Sequence, residues 1–299
     1  MQVGQAEWVT PQIRRVLAPN PSPMTGPGTN SYVLGRGRGL VLVDPGPDDP
    51  RHRAALLAAL DRGETLGAIV VTHAHRDHSE AAAGLAQALS APILAFGEAS
   101  SGRSPLMQRL ADAGLEGGGE GLDHAFVPDQ RVVDGDSLPC PGGALRVIHT
   151  PGHLGGHICL AYGDVLLSGD MAMGWSSSIV SPPDGDMGAY MRSLARLQTG
   201  RWRLMLPGHG AAVTEVADRL AALTRHRLDR EAALLAALSN EPISAAALTR
   251  QVYHDLAPGL LPAAERNVLA HLVDLLERNR IGAMDFPGPR ALFHQSSPE

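Results

Sequence analysis

The stretch "THAHRDHSE", Thr72 to Glu80, places three histidines and an aspartate within six positions, directly after the apolar run "AIVV". Such a short apolar run is typical of the end of a buried strand. Neutral imidazoles and a carboxylate this close together make a poor hydrophobic core, but they are a good ligand set for a divalent metal ion. The stretch therefore predicts a metal site at a strand end, with four candidate ligands: His73, His75, Asp77 and His78.

Three further apolar runs end in the same way. "LRVI" runs into "HTPGH", "VLL" into "SGD" and "LML" into "PGHG". Strand-like and helix-like patterns alternate between them, which predicts the α/β fold class. Because loops at strand ends converge over a rigid sheet, we expect them to add His153, Asp170 and His209 to the site. Five imidazoles and two carboxylates exceed the four ligands of one zinc ion and suit two ions that share a carboxylate.

Length and composition describe an ordinary globular chain. Its 299 residues are 44% hydrophobic and 19% charged, enough for one large domain or two ordinary ones. It has no apolar run of about 18 residues, which predicts no membrane span. The N-terminus lacks the apolar segment of a signal peptide, and Cys140 and Cys159 have no partners at disulfide or metal spacing. We therefore predict a cytoplasmic protein.

The charged residues exclude several functional classes. The formal net charge of -6 gives no general attraction for nucleic acid or an anionic membrane. All 25 basic residues are arginine, so a P-loop lysine, a Schiff-base lysine and a Ser/Lys dyad are excluded. The sequence also contains no Gly-x-Ser-x-Gly nucleophile elbow.

Taken together, the four His/Asp motifs, in this order and at these separations, resemble those of the metallo-β-lactamase superfamily. The resemblance is narrower to the branch that includes glyoxalase II and the lactamase-β-like protein 2 group, and it covers nearly all of residues 24 to 213. It implies a four-layer αββα sandwich with the metal site along one edge. It also implies a first ion held by His73, His75 and His153, a second held by Asp77, His78 and His209, and Asp170 as the bridge.

This ligand set predicts metal-assisted hydrolysis. Two divalent ions, zinc with iron or manganese as alternatives, lower the pKa of a shared water towards about 7, so that a bridging hydroxide is the nucleophile. Asp77 is the predicted catalytic residue, because it can orient that hydroxide while bound to the second ion. The favoured substrate is a small anionic ester, thioester or lactone.

The tail predicts a second domain. A long helix begins near Glu215, and two further helical patterns follow, the first with Ser244 as its N-cap and the second with Pro262 near its N-terminus. The stretch "IGAMDFPGPRALFH" suits a β-wing. We therefore expect residues 1–213 to form the catalytic domain, and residues 214–299 a linker helix and a winged-helix domain. The lactamase-β-like protein 2 branch carries such a module.

The charge of the tail bears on the alternatives. From Thr214 onward there are 9 Arg against 11 Asp and Glu, whereas a nucleic-acid surface is normally basic. The sequence therefore favours a small-molecule substrate, with the winged helix packed over the active site or used for dimerisation, in a monomer or homodimer. The runner-up is a metal-dependent endoribonuclease that binds RNA. A promiscuous β-lactamase and a winged-helix regulator with a metal-sensing domain are further alternatives.

Several other residues carry weaker expectations. The glycine-rich stretch from Gly97 to Gly121 predicts a mobile loop. Asp44 is predicted to brace the histidine loop, and His149 and His157 to support the ligands or to pack. The sequence leaves open whether residues 175–178, "WSSS", line the substrate pocket or shape a turn. The remaining histidines are predicted to be structural: His52, His124, His226, His254, His271 and His294.

Overall fold

The strands predicted from the apolar runs pair into two sheets. The computed structural model describes residues 1–117, 121–288 and 290–296. The first sheet has seven strands in chain order: β1 Ala6–Thr10, β2 Ile13–Leu17, β3 Asn30–Leu34, β4 Arg38–Val43, β5 Thr65–Val70, β6 Ile93–Ala95 and β7 Gln130–Arg131. Its first four strands are antiparallel, and β4 to β7 run parallel.

The second sheet has the order β12-β11-β10-β9-β8. Its strands are β8 Ser137–Cys140, β9 Gly143–His149, β10 Ile158–Tyr162, β11 Val165–Gly169 and β12 Leu204–Pro207. Neighbours are antiparallel except for β11 and β12, which are parallel. Both strands therefore end at the same edge of the sheet, where their loops meet.

Eight α-helices complete the described chain. They are α1 Pro50–Ala58, α2 Arg76–Ser79, α3 Ala82–Leu89, α4 Pro105–Asp112, α5 Met187–Gln198, α6 Val216–Ala237, α7 Ala245–Val252 and α8 Leu261–Glu277. A 3-10 turn, Pro258–Leu260, precedes α8. None of these helices is both long enough and apolar enough to cross a membrane.

Three apolar clusters hold the layers together. Residues such as Val43, Leu145 and Leu167 fill the space between the two sheets. Leu56 of α1 and Leu85 of α3 cover the outer face of the first sheet. Residues of α5 and α6 cover the outer face of the second sheet. The predicted four-layer αββα sandwich is confirmed.

The prediction of a mobile loop between Gly97 and Gly121 was wrong for residues 105–112, which form a helix. The stretch contains α4, whose N-cap Ser104 accepts a hydrogen bond from the backbone N–H of Met107 at 3.4 Å, and which has proline in its first turn. Met107 and Leu110 are buried in the same apolar cluster as the C-terminal helices. The glycine content hid this short amphipathic helix; residues 118–120 lie outside the described chain.

The tail forms the predicted winged-helix arrangement. Helices α6, α7 and α8 are joined by a three-stranded sheet of order β13-β15-β14. Strand β13 Ile243–Ser244 lies between α6 and α7, and β14 Ile281–Ala283 and β15 Leu292–Gln295 follow α8. As predicted, Ser244 caps its helix, accepting a hydrogen bond from the backbone N–H of Ala247 at 3.2 Å. The domain boundary after residue 213 stays a prediction.

His271 of α8 makes stability depend on pH. Burial, with the nearby charges of Arg227 and Arg278, lowers its pKa to about 3, and neither ring nitrogen has a hydrogen-bond partner among the described residues. An unfolded histidine has a pKa of about 6.5, so below that pH the unfolded state binds more protons and stability falls towards pH 3. Between pH 7 and pH 5 the free energy of unfolding falls in the wild type, and we expect this fall to be about 2 kcal/mol smaller in His271→Leu.

Urea unfolding in the presence of a chelator measures this difference. The chelator keeps metal loss at acid pH out of the comparison. The control is His124→Gln, because His124 is exposed. An equal acid destabilisation of His271→Leu and wild type would contradict the prediction.

Candidate metal centre

The loops that follow four strands meet at one edge of the sandwich. The loop after β5 carries His73 and His75, and the short helix α2 that follows carries Asp77 and His78. The loops after β9, β11 and β12 carry His153, Asp170 and His209. Their donor atoms form three groups, each with all donors within 4.8 Å of one another: His73, His75 and His153; Asp77, His78 and His209; and His73, His78 and Asp170. All seven predicted side chains therefore lie together.

The first group centres on His75. Its Nδ1 lies 3.0 Å from Nε2 of His73 and 3.0 Å from Nε2 of His153. In the second group, Nε2 of His78 lies 3.3 Å from Nε2 of His209. The Asp77 Oδ2 atom lies 3.4 Å from the first of these nitrogens and 3.3 Å from the second. Each group thus directs three donor atoms at a common point.

Asp170 connects the two groups. Its Oδ1 lies 3.6 Å from Nε2 of His78, and its Oδ2 lies 3.3 Å from Nε2 of His209 and 3.8 Å from Nε2 of His153. The Oδ1 atom is buried and accepts no hydrogen bond within the described chain. A buried carboxylate oxygen normally has a donor or a cation beside it. An ion between the two groups would satisfy this oxygen.

Hydrogen bonds on the outer side of the rings assign their protons. His153 Nδ1 donates to the Ile179 carbonyl at 2.7 Å, and His209 Nδ1 donates to the Gly28 carbonyl at 3.2 Å. His78 Nδ1 donates to a buried carboxylate at 3.0 Å. When each Nδ1 carries the proton of a neutral ring, Nε2 presents a lone pair to the centre.

Asp44 orients two of these rings. Its carboxylate accepts hydrogen bonds from the Thr72 backbone N–H at 2.7 Å, the Thr72 hydroxyl at 2.8 Å and His78 Nδ1 at 3.0 Å. The Thr72 hydroxyl uses its proton on Asp44, so it accepts from Nδ1 of His73 at 3.0 Å and leaves a lone pair on Nε2 of His73. The predicted bracing role of Asp44 is confirmed. Lone pairs that face one another this closely repel unless a cation lies between them, so the residues fit a metal centre.

Burial and neighbouring charges set the protonation of the site. Burial lowers the pKa of His75 to about 3, and burial with the adjacent imidazoles holds the pKa of His73 well below its ordinary value. Burial acts to raise the pKa of Asp170, but the positive charge of protonated His209 and His78 holds that pKa well below its usual range. Burial acts to lower the pKa of these two rings, but the carboxylates of Asp77 and Asp170 raise it, so a bound metal ion would replace their Nε2 protons. Neutral imidazoles and an ionised carboxylate are the forms that bind a metal ion.

Two supporting residues were missed in the sequence. The Thr29 hydroxyl donates to Asp77 Oδ2 at 2.9 Å. The Asn30 side-chain amide donates to the carbonyls of Pro207 and Gly210 at 3.0 and 2.9 Å, on either side of His209. The available signal was the polar pair Thr29 and Asn30 directly before the strand-like run "SYVL".

His149 and His157 support the ligands or pack, as predicted. His157 is fully buried, its Nδ1 lies 2.9 Å from the Thr150 hydroxyl, and its Nε2 accepts from the backbone N–H of Asp170 at 3.1 Å. His149 stacks on Phe96 with ring centroids 4.0 Å apart. His157 therefore helps to position Asp170, whereas His149 packs.

Helix α6 holds the loop that follows Asp170. The Arg219 guanidinium donates to the carbonyls of Met173 and Ser176, both at 2.6 Å. The buried Arg227 guanidinium donates to the Ser178 carbonyl, and the Ser178 hydroxyl donates to the Asp170 carbonyl. The "WSSS" stretch, left open by the sequence, thus links the C-terminal helices to the metal centre.

A cavity of about 660 Å³ opens above the donor groups. His75, Asp77 and His209 contribute to its floor, and the "WSSS" loop contributes to one wall. Residues of α6, α8 and the segment between α7 and α8 also line the cavity. Of the two predicted uses of the winged helix, the structure shows packing beside the candidate metal centre. Dimerisation stays a prediction.

Comparison with known proteins gives two family matches. Residues 24–209 match the metallo-beta-lactamase superfamily, and residues 244–285 match the beta-lactamase associated winged helix domain. The Caenorhabditis elegans beta-lactamase-like protein 2 homolog is 30% identical over 273 residues, which is 89% of this chain and 84% of that protein. The Aspergillus chevalieri atrochrysone carboxyl ACP thioesterase is 29% identical, over 77% of this chain and 67% of the relative.

The share of each relative's length that this chain matches differs, and a solved structure is also similar. The chain spans 63% of the length of the lactamase-like protein aptB from Emericella nidulans, which is 29% identical. A crystal structure of a metallo-beta-lactamase family protein from Thermus thermophilus superposes with a TM-score of 0.75 at 25% identity, over 96% of this chain and all of that one. The chain therefore belongs to the metallo-beta-lactamase superfamily, as a hydrolase with a C-terminal winged-helix domain.

Proposed function

We propose that this chain is a binuclear metal-dependent hydrolase whose substrate is a small ester, thioester or lactone. The observation that carries the proposal is the pair of three-donor groups joined by the buried Asp170 carboxylate. In this proposal His73, His75 and His153 hold one ion, Asp77, His78 and His209 hold the second, and Asp170 bridges them. Zinc is the proposed metal, with iron and manganese as alternatives.

The reaction needs an activated water and a polarised carbonyl. When bound, two divalent ions would lower the pKa of a water between them and polarise the substrate carbonyl. Asp77 accepts a hydrogen bond from the attacking water and fixes its direction, while the Thr29 hydroxyl holds the Asp77 carboxylate in place. In thioester hydrolysis the water oxygen joins the acyl carbon, the C–S bond breaks, and the thiol leaves with a proton.

A thioester is the favoured member of this substrate class. The Aspergillus relative is named as an acyl carrier protein thioesterase, and the cavity walls here are largely apolar. The acidic balance of the tail disfavours the endoribonuclease alternative, because phosphate binding needs a basic surface. Anionic substrates remain part of the proposal, since the Arg76 guanidinium lies exposed at the cavity.

The test is a panel of assays on the metal-loaded protein. It compares an acyl thioester, a lactone, a chromogenic β-lactam and single-stranded RNA, each with and without a chelator. We expect thioester hydrolysis that the chelator abolishes and added zinc restores. Faster cleavage of RNA than of any ester would overturn the proposal in favour of the nuclease. No turnover of any substrate, together with binding of duplex DNA in a gel shift, would favour the regulator.

Arg227 gives a test of how the C-terminal helices support this site. The residue is 3% exposed, and its guanidinium donates to the Ser178 carbonyl and to the side-chain oxygen of Asn267. Arg227→Ala removes the hydrogen bond to the loop whose Ser178 hydroxyl contacts Asp170 and whose Ile179 carbonyl orients His153. We therefore expect zinc binding to be about 10- to 100-fold weaker. Competition with a chromophoric chelator measures the affinity.

The matched control is Arg225→Ala, because Arg225 is exposed on the same helix. It removes the same charge without touching the loop. Equal zinc affinity in both variants would contradict a supporting role for Arg227. Thermal unfolding of the metal-free variants shows whether either substitution disturbs the fold.

A further inference from the structure

Large apolar side chains surround the mouth of the cavity above the metal centre. Three of the exposed large hydrophobic residues, Met24, Trp175 and Leu260, are 44%, 47% and 38% exposed and line this one cavity. They come from three separate parts of the chain. Exposed apolar residues that gather around a concave site mark a binding surface rather than random surface composition.

The C-terminal domain supplies an apolar wall of the same cavity. Tyr253, Leu256 and Leu260 lie in or beside the segment between α7 and α8, and all three line the cavity. The Tyr253 ring also lies under the guanidinium of Arg230, 4.7 Å from its centroid. This contact helps to fix the ring at the wall. Tyr253 is thus held in place on the same wall as Leu256 and Leu260.

The cavity joins this apolar wall to the donor atoms. Asp77, Asp170 and His209 reach the same space as Leu256 and Leu260. A substrate whose carbonyl lies at the donors therefore extends the group attached to that carbonyl towards the winged-helix segment. A volume of about 660 Å³ is within the range of sites that enclose a whole small ligand.

We infer that this wall binds an extended apolar acyl or aryl group of the substrate, and that Leu256 and Leu260 are specificity-determining residues. The inference rests on the proposed hydrolase function and adds the class of the acyl group. It makes the winged-helix domain part of the substrate site. Burial of each additional methylene against these side chains favours longer acyl groups until the cavity is filled.

A homologous series of thioesters tests the inference. We use the acetyl, hexanoyl and decanoyl thioesters of N-acetylcysteamine with the zinc-loaded protein. We expect kcat/KM to rise by about fourfold per methylene over the first part of the series. Leu260→Asn and Leu256→Asn are each expected to lower the decanoyl-to-acetyl ratio of kcat/KM by about tenfold.

Leu228→Asn is the matched control. Leu228 is 50% exposed on α6 and lies outside the cavity lining. Its decanoyl-to-acetyl ratio is expected to equal that of the wild type. A loss of the ratio in this control as large as in Leu260→Asn would overturn the assignment of the two leucines.

Direct binding of decanoate and acetate by calorimetry separates this inference from the proposed function. If thioesters are hydrolysed at rates independent of chain length, the inference fails and the proposed function stands. If no ester, thioester or lactone is hydrolysed but decanoate binds, and Leu260→Asn weakens that binding, the proposed function fails and the apolar site stands. If decanoate binds no better than acetate, the inference is overturned.

Discussion

Replacing Asp77 by alanine is expected to lower kcat by on the order of 10² to 10⁴-fold. Asp77 is the one carboxylate among the second group of donors, with Oδ2 3.3 Å from Nε2 of His209 and 3.4 Å from Nε2 of His78. Its removal takes away both the proposed orienting group for the attacking water and one donor of the second ion. Steady-state hydrolysis of the preferred ester or thioester measures the change.

Two variants qualify this result. Asp48→Ala is the control, because Asp48 is a half-exposed carboxylate that pairs with Arg53 on the surface. Thr29→Val keeps Asp77 but removes the hydrogen bond to its Oδ2, so we expect a smaller loss of kcat, about tenfold. An Asp77→Ala protein with wild-type kcat and wild-type metal content would show that Asp77 has no part in the reaction.

Replacing Asp44 by alanine is expected to weaken metal binding by about 10- to 100-fold. Its buried carboxylate accepts three hydrogen bonds, two from Thr72 and one from His78 Nδ1. Without it, His78 Nδ1 loses its acceptor, and the Thr72 hydroxyl, which accepts from His73 Nδ1, loses the acceptor for its own proton. The Thr72 backbone N–H is left unsatisfied. An unsatisfied buried donor costs about 1–3 kcal/mol of stability.

Asp44→Asn separates charge from geometry. Asp44 has a backbone φ of 51°, a conformation that asparagine also tolerates. The amide keeps one acceptor oxygen, so we expect the stability loss to be smaller than in Asp44→Ala while metal affinity still falls. Chelator competition and urea unfolding of the metal-free proteins measure the two quantities. Equal metal affinity of Asp44→Ala and wild type would contradict the bracing role.

The sequence was informative about the site because the ligands follow strands. Each short apolar run marks a buried strand, and each is followed directly by a His or Asp motif. Because loops at strand ends converge over a sheet, the meeting of His73, His153 and His209 at one edge could be predicted. The helices of the tail could be predicted as well, because the N-cap Ser244 and the position of Pro262 mark where two of them begin. The seven predicted side chains lie together in the structure.

The residues that the sequence did not reveal act across long sequence separations. Asn30 supports the loop of His209 from 177 positions away, and Arg227 contacts a carbonyl 49 positions distant. Nothing in the local pattern of a surface-like helix distinguishes Arg227 from the exposed Arg225. The helix α4 was missed because its apolar face is completed only by the C-terminal helices. Tertiary packing decides these features.

The metal content of the purified protein tests the binuclear centre most directly. Elemental analysis after zinc reconstitution is predicted to give about two ions per chain for the wild type. Asp170→Ala, which removes the carboxylate that reaches both donor groups, is predicted to retain about one or fewer. A wild-type protein that binds no zinc, or binds only one ion at saturation, would contradict the account.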